Sequence, residues 1–491
     1  MVKKVPYLQY EILEFIHDGN KVTSIAELCG YPANSKIITS AINSLITKGL
    51  LDEKHKLTET ALKLLNGHYR DRHIHKIYDK SNYALTIKNT LFNIVNNPYH
   101  RWYEYLEDFP GDFVKKYSEK YKVDNKYYLF DPFIGSGTTL ISGKMLGLKG
   151  VGFDINPVMT FISKQKLDWS YDIAVFEKEY LKIIDWFVKN NANGNYLTKT
   201  PLGKMPKKEI NQWLSPVKQK EIAALYWYIK NKVNPKYSDL FLLILASSSI
   251  KSSYVAFCPG TTFYPFRQKP DIISEFCNLA RYVYEDLSSE YQKNKAVESE
   301  VHLASSLNIE DFKKIINKVD LIITSPPYPN DLEYTRQTRL EMYLLGFTEK
   351  MDDVQKIKRT MVKGSTKLIY NSDKPTSEIL NNKRIQKIAK EIYKKTGGKN
   401  WGFDYPLMVQ MYFSDMYKCL QNYYLTLVKG GTAILVVGDQ TIQGVLVPVA
   451  EILEDISKEI GFKKTFIELH RKRRSTGHEV PIPEENLIIT K

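Results

Sequence analysis

Only four cysteines occur in 491 residues, Cys29, Cys258, Cys277 and Cys419, and no two of them stand in CxxC spacing. That argues against a zinc ribbon and against a disulfide framework. Long apolar runs are missing too. The longest, Leu240 to Ala246, is far short of the ~18 residues a membrane-spanning helix needs. The N-terminus, MVKKVPYLQYEILEF, has early lysines but no apolar core and no small-residue cleavage site, which predicts a mature, cytoplasmic chain with no membrane partner. There is no internal repeat and no low-complexity tract. His68, His73 and His75 lie close together without an acid or thiol at ligand spacing, so no metal site is expected.

What is present describes a folded, basic protein. With 43% hydrophobic and 25% charged residues, the disordered and fibrous classes are excluded. At about 150 residues per domain the length predicts two or three domains. Lys and Arg number 70 against 55 Asp and Glu, a net charge of +15. A surplus of that size favours a polyanionic partner without separating DNA from RNA or an acidic membrane.

Residues 1–67 read as a small domain. Leu8, Ile12, Leu13 and Ile16 recur at helical spacing, and Ser24 is expected to cap a short helix from Ile25 to Cys29, closed by Gly30. Ser35 opens a third helix through Ile37, Ile38, Ile42, Leu45 and Ile46. A ribbon over 50–57 and a helix capped by Thr58 come next. The pattern resembles a winged helix-turn-helix, with Lys36, Ser40, Asn43 and Lys48 on the groove-reading element; such units also serve protein contacts. Residues 68–100, opening on HYRDRHIHKIYDK, read as a linker.

From about residue 125 the pattern becomes α/β. Strands are expected at 127–130, 151–153, 319–323 and 432–437, with an antiparallel hairpin from 466–469 and 487–489. This predicts a doubly wound, Rossmann-like open sheet. Asp154 and the strand at 319 lie 165 positions apart. Two strand–helix–strand steps use about 60 residues, so about 100 are left over. They carry helical spacing at 173–188, 217–230 and 239–250. A second, lysine-rich excess lies at 347–405.

Two motifs carry chemistry. Asp131-Pro132-Phe133-Ile134-Gly135-Ser136-Gly137-Thr138-Thr139 joins a strand to a helix. Its glycines allow a tight turn and close approach to a ligand, and the helix start offers free N–H groups. No Lys follows the glycines, so it is not a Walker loop, and it is not GxGxxG. Asp154 ends the next strand 19 positions after Gly135, where a carboxylate can grip ribose hydroxyls. The second motif, Thr324-Ser325-Pro326-Pro327-Tyr328, ends a later strand. Two prolines remove two N–H donors. They leave the Ser325 hydroxyl and the Ser325 and Pro326 carbonyls as acceptors, with Tyr328 as an aromatic face. Such an edge suits a flat heterocycle bearing an exocyclic amine.

Together DPFIGSGTT and TSPPY resemble the amino-methylating DNA methyltransferases, which use S-adenosylmethionine on cytosine N4 or adenine N6. The resemblance covers roughly 100–160 and 300–491. It implies that Phe109, Asp131, Phe133, Gly135, Ser136, Gly137, Thr138, Thr139, Asp154 and Asn156 bind the cofactor, and that Ser325, Pro326, Pro327 and Tyr328 are catalytic. Phe109-Pro110-Gly111 looks like the family's additional cofactor segment. The segment before the catalytic strand is usually Gly-Asp-Ala-like. Here it reads Leu303-Ala304-Ser305-Ser306-Leu307, with Ser305 where an acid is expected.

The motif order implies a cofactor half at 101–160, a helical insertion acting as target-recognition region at 161–300, and a catalytic half at 301–491. Duplex DNA is the implied partner, and a restriction–modification or phage-defence setting allows a cognate restriction endonuclease as a second. Arg471, Lys472, Arg473 and Arg474, with Lys358 and Arg359, are the expected phosphate contacts. A leading Ser resembles the N4-cytosine enzymes more than the N6-adenine ones. Adenine methylation, RNA base-amine methylation and a non-enzymatic DNA-binding regulator remain the alternatives. Cys258-Pro259 does not match the Pro-Cys order of a C5-cytosine nucleophile, and Asp439 is expected to orient a loop near the site or to lie in a surface turn.

Overall fold

The computed structural model describes residues 9, 12–13, 16–17, 21–28, 34–65, 98–105, 109, 111–123, 126–190, 194–257, 261–263, 269–397, 403–473 and 482–491. The chain divides into two compact units. One comprises Met1–Tyr103, Ser170–Ser289 and Gln337–Met351, the other Glu104–Trp169, Glu290–Arg336 and Asp352–Lys491.

The second unit is built on a seven-stranded sheet. Its strands, in chain order, are β1 (Tyr128–Asp131), β2 (Gly150–Asp154), β3 (Ser299–Leu303), β4 (Val319–Thr324), β5 (Leu427–Gly438), β6 (Lys464–Arg473) and β7 (Ile482–Thr490). Their spatial order is β6-β7-β5-β4-β1-β2-β3. The five strands from β5 to β3 run parallel, and β7 and β6 close the edge antiparallel. A parallel strand buried on both faces must be apolar along its length, which is why Leu129-Phe130 and Leu321-Ile322-Ile323 were readable as strands; all five are buried. The hairpin pairs Phe466 with Ile488 and Ile467 with Leu487, and a register shift between Leu469 and Arg471 interrupts it at His470.

The order of winding creates the crevice in this unit. From β1 the chain moves outward through β2 and β3, then returns to place β4 against the other side of β1. Leu129 pairs with Gly150 on one side and with Leu321 on the other. Such a reversal leaves a crevice at the carboxyl ends of the two central strands. Helices cover the sheet. On one face Tyr405–Thr426, Lys383–Thr396 and Val449–Ile460 pack Tyr412, Met416, Ile388 and Leu453 into a core with Phe130, Ile322 and Leu435. The lysine-rich excess thus contributes helix Lys383–Thr396 to the sheet's cover.

In the first unit, helices Ile173–Asn190, Pro216–Lys232, Pro235–Ser252 and Ile272–Leu287 occupy the expected helical insertion. Its ends differ from those expected at 161 and 300. Helix Pro157–Leu167 packs on β2 and β3, and β3 itself starts at Ser299, so the inserted segment of the first unit runs from Ser170 to Ser289. Residues 98–103, assigned to the linker's end and the cofactor half, are anchored there instead. The Tyr99 N–H and Trp102 Nε1 both donate to buried Asp286, at 2.7 and 2.8 Å, and Arg101 forms an ion pair with it. The rest of that linker, 68–97, lies outside the described residues.

Near the N-terminus, helices Val22–Leu28, Lys36–Thr47 and Glu59–Leu65 pack Ile25, Ile38, Ile42, Leu45 and Ala61 together. Two local expectations change. Ser24 lies inside its helix and donates to the Lys21 carbonyl at 2.7 Å rather than capping from outside. The ribbon is a single antiparallel bridge, Leu51 to Leu57. Thr58 does cap, its hydroxyl accepting from the Ala61 N–H at 3.3 Å. Among the described residues, no helix is long and apolar enough to cross a membrane.

Candidate active site

The crevice of the second unit opens where β1 and β4 end. Asp131, the last residue of β1, is buried beside Thr324, the last of β4, whose hydroxyl donates to Asp131 Oδ1 at 2.6 Å. The Phe133 N–H donates to the same oxygen at 3.0 Å, starting the glycine turn. The turn is also tied to β2. The Ile134 N–H donates to the Phe153 carbonyl at 2.9 Å, and the Gly135 N–H to Asp154 Oδ2 at 3.0 Å. Asp154 Oδ1 accepts from the Asn156 N–H at 2.8 Å. Asn156 in turn caps the next helix by accepting from the Val158 N–H. Gly135 and Gly137 have φ of 51° and 98°, so the turn enters its helix through a left-handed backbone.

The opposite wall is the proline turn. The Ser325 hydroxyl donates to Tyr328 Oη and to the Val436 carbonyl of β5, each at 3.3 Å. Tyr328 is buried, and its phenol donates to Glu484 Oε1 on β7 at 3.2 Å and to the Val436 carbonyl at 3.3 Å. The turn is braced from behind by Gly364. A Cβ there would stand 2.5 Å from the Tyr328 carbonyl oxygen, so only glycine fits without moving the turn.

Residues of both motifs line one cleft: Asp131, Phe133, Gly135 and Thr138 from the first, Ser325 to Tyr328 from the second, with Phe109, Asp154 and Asn156. Three expected members do not reach it. Ser136 is fully buried, with Lys166 Nζ donating to its hydroxyl; Gly137 packs against Ser163; and Thr139, also buried, donates to the Ile323 carbonyl. They hold the turn rather than face a ligand. The Ser305 side of the cleft lacks the expected acid. Asp311, six positions on, accepts from the Ser305 N–H at 2.7 Å and so shapes that segment without lining the cleft. Tyr105, Tyr334, Met361, Val436, His470 and Glu484 also line the cleft. None was expected, since none belongs to either motif. The interrupted register at His470 gave the only local cue, and it is visible only once the hairpin is paired.

The electrostatics of this cleft run against those of the chain. Asp131, Asp154 and Glu484 line it with one histidine and, among the described lining residues, no Lys or Arg. Burial pushes the Asp131 carboxyl up to about 7, against the opposing hydrogen bonds from Thr324, Thr139 and the Phe133 N–H. Burial likewise pushes half-buried Asp154 up to about 6, against the backbone N–H groups of Asn156 and Gly135. Carboxylates held this way, in a lining without Lys or Arg among the described residues, favour a ligand that brings positive charge.

The expected phosphate contacts separate. Lys358 is buried and pairs with Glu333 Oε2 at 3.2 Å, so it is not a surface cation and leaves that set. Arg359 is exposed, with its guanidinium 4.5 Å over the Tyr370 ring. Arg471, Lys472 and Arg473 lie on β6, while Arg474 falls outside the described residues, as do Pro110 and Cys258. Asp439 lies off the cleft, where it caps helix Val449–Ile460 through the Val449 N–H at 2.8 Å.

No family model matches the chain. Among curated proteins it is similar to the type II methyltransferase M.BsoBI of Geobacillus stearothermophilus, 24% identical over 430 residues, covering 78% of this chain and 82% of that protein. It is also similar to M.AvaI of Nostoc sp., 25% identical over 75% of this chain and 80% of the relative, and to M.MvaI of Kocuria varians, 25% identical over 67% and 74%. All three carry the name type II methyltransferase. The matches to M.BsoBI and M.AvaI take in about three quarters of this chain.

Proposed function

We propose that the chain is a DNA methyltransferase of a restriction–modification system, moving a methyl group from S-adenosylmethionine to the N4 amine of a cytosine swung out of duplex DNA. One observation carries the reading: an acidic wall and an acceptor wall face each other across one cleft. The donor set suits S-adenosylmethionine, whose sulfonium and ammonium bring the positive charge that Asp131 and Asp154 lack. Asp154 suits ribose hydroxyls, and Phe133, Leu307 and Phe109 offer apolar cover. When bound, that molecule supplies an electrophilic methyl group.

The chain's own work is positioning. An exocyclic amine is a poor nucleophile because its lone pair is delocalised into the ring. The Ser325 hydroxyl and Pro326 carbonyl accept hydrogen bonds from its two hydrogens and draw the nitrogen toward a tetrahedral shape. Alignment of this kind recovers about 7–11 kcal/mol of a bimolecular barrier. Extracting the base costs a few kcal/mol, offset by apolar and aromatic contacts in the pocket. Arg359 and the cations of β6 serve as phosphate contacts. The N-terminal helices, as a winged unit, and the helical insertion, as the target-recognition region, supply further contact with the duplex.

The choice of cytosine rests on Ser325 leading the proline motif. The test is incubation with labelled S-adenosylmethionine and either duplex DNA or RNA, then digestion to nucleosides. Labelled N4-methylcytosine from duplex DNA is expected. N6-methyladenine would replace cytosine by adenine as the target, label confined to RNA would remove DNA, and no transfer at all would favour a DNA-binding regulator.

A further inference from the structure

Amine methylation releases a proton, and a serine hydroxyl can take it only by passing its own proton on. The geometry points to a relay for that proton: from the amine to Ser325 Oγ, from Ser325 to Tyr328 Oη, and from Tyr328 to the carboxylate of Glu484, which ends the chain. This rests on the function proposed above and adds a residue that neither motif contains.

Each link has a defined geometry. The Ser325 hydroxyl donates to Tyr328 Oη at 3.3 Å, and the Tyr328 phenol donates to Glu484 Oε1 at 3.2 Å. The Val436 carbonyl accepts from both hydroxyls at 3.3 Å and so holds them side by side. Each hydroxyl has one proton, and both the next oxygen of the chain and the Val436 carbonyl lie within its reach. Glu484 is 3% exposed yet lines the cleft, placed by a strand whose register sets it opposite Gly438 of β5. A buried carboxylate reached through two hydroxyls suits proton uptake, because hydrogen bonds in a dry site couple along their chain. Asp131 is turned elsewhere, its Oδ1 engaged by Thr324 and the Phe133 N–H.

The step balances. The amine nitrogen forms a bond to the methyl carbon, and the donor's sulfur keeps the electron pair of the bond that breaks. One N–H bond breaks, and its proton moves to Ser325 Oγ as the Ser325 proton moves to Tyr328 and the Tyr328 proton to Glu484. Both hydroxyls end neutral, and Glu484 releases the proton to water after the product leaves.

The test uses the full chain with Glu484→Gln, Tyr328→Phe and both together. Glu484→Gln keeps the size and the acceptor oxygen but cannot take a proton. It should lower kcat by about 100-fold while the KM for DNA and the affinity for S-adenosylmethionine stay within about twofold. Tyr328→Phe should fall by a similar factor, and the double variant no further than the worse single one, because both cut the same chain. A wild-type kcat in Glu484→Gln, or losses that multiply in the double variant, would overturn the relay. A second readout needs no turnover. In protein carrying 13Cζ-tyrosine, the resonance lost in Tyr328→Phe identifies Tyr328, and it should move in Glu484→Gln. An unmoved resonance overturns the last link. If the wild-type chain methylates no nucleic acid, the proposed function fails, and the resonance still decides the link between Tyr328 and Glu484.

Discussion

The glycine turn after β1 and the proline turn after β4 end neighbouring parallel strands, yet they treat the backbone in opposite ways. The first turns through positive φ at Gly135 and Gly137 and anchors its N–H groups on Asp131 and Asp154. The second loses two N–H groups to Pro326 and Pro327 and presents oxygen acceptors. One wall therefore gathers negative charge and the other gathers lone pairs. The proposed reaction, with a cationic donor on one side and an amine on the other, calls for both. The comparison teaches that the two roles are separable, so damage to either wall should show a different kinetic signature.

The largest effect is expected at Gly364→Ala. Its Cβ would displace the Tyr328 carbonyl and with it the proline turn. Displacements of about 1 Å cost on the order of 100-fold in turnover. Donor affinity, measured by calorimetry, should change little, and an equal collapse of both would show that the walls are not independent. Gly137→Ala attacks the other wall. With φ at 98° and contacts at 3.2 Å to Ser163 and Ile141, the strain is about 1–3 kcal/mol. Donor binding should weaken by about tenfold, since about 1.4 kcal/mol is a factor of ten, while the kcat at saturating donor falls less than in Gly364→Ala.

A pH series sharpens the acidic wall. Asp131 and Asp154 are held above the ordinary aspartate value, at about 7 and about 6. Their contribution to stability is therefore present below about pH 4 and is lost as pH rises through about 6 to 7. A cationic ligand prefers the ionised pair, so affinity for S-adenosylmethionine should climb over that same window. S-adenosylhomocysteine, without the sulfonium charge, should climb less. Asp131→Asn should flatten the difference between the two, and an unaltered difference would remove Asp131 from the cation's surroundings. The smallest effect concerns Arg359→Ala, which should reduce the slope of log DNA affinity against log salt by at most about 0.9 and leave donor affinity alone.

Much of this was legible before folding. Apolar runs such as Leu321-Ile322-Ile323 identify buried parallel strands, and the two motifs mark the strand ends whose turns line the cleft. Other features were not. Thr138 faces the cleft while its neighbour Thr139 bonds the Ile323 carbonyl. That difference is set by where the helix begins, which a motif does not record. Lys358 and Arg359 are adjacent cations, but Lys358 is buried against Glu333 and Arg359 is exposed. A charge count sees two identical contributions. The boundaries at 160 and 300 shifted because helix Pro157–Leu167 and strand Ser299–Leu303 pack on the sheet, and that packing is a long-range fact.

By itself the sequence determined the local chemistry: a turn rich in N–H groups at one strand end, an acceptor edge at another, and a basic surplus over the whole chain. Only the tertiary structure decided that Asp131 and Thr324, 193 positions apart, touch, that the described lining of the cleft leaves out the lysines and arginines abundant elsewhere, and that Glu484 closes a hydrogen-bonded chain from Ser325. Local rules govern a few neighbouring residues. Strand order and register bring distant ones together, and those depend on burying the entire sheet at once.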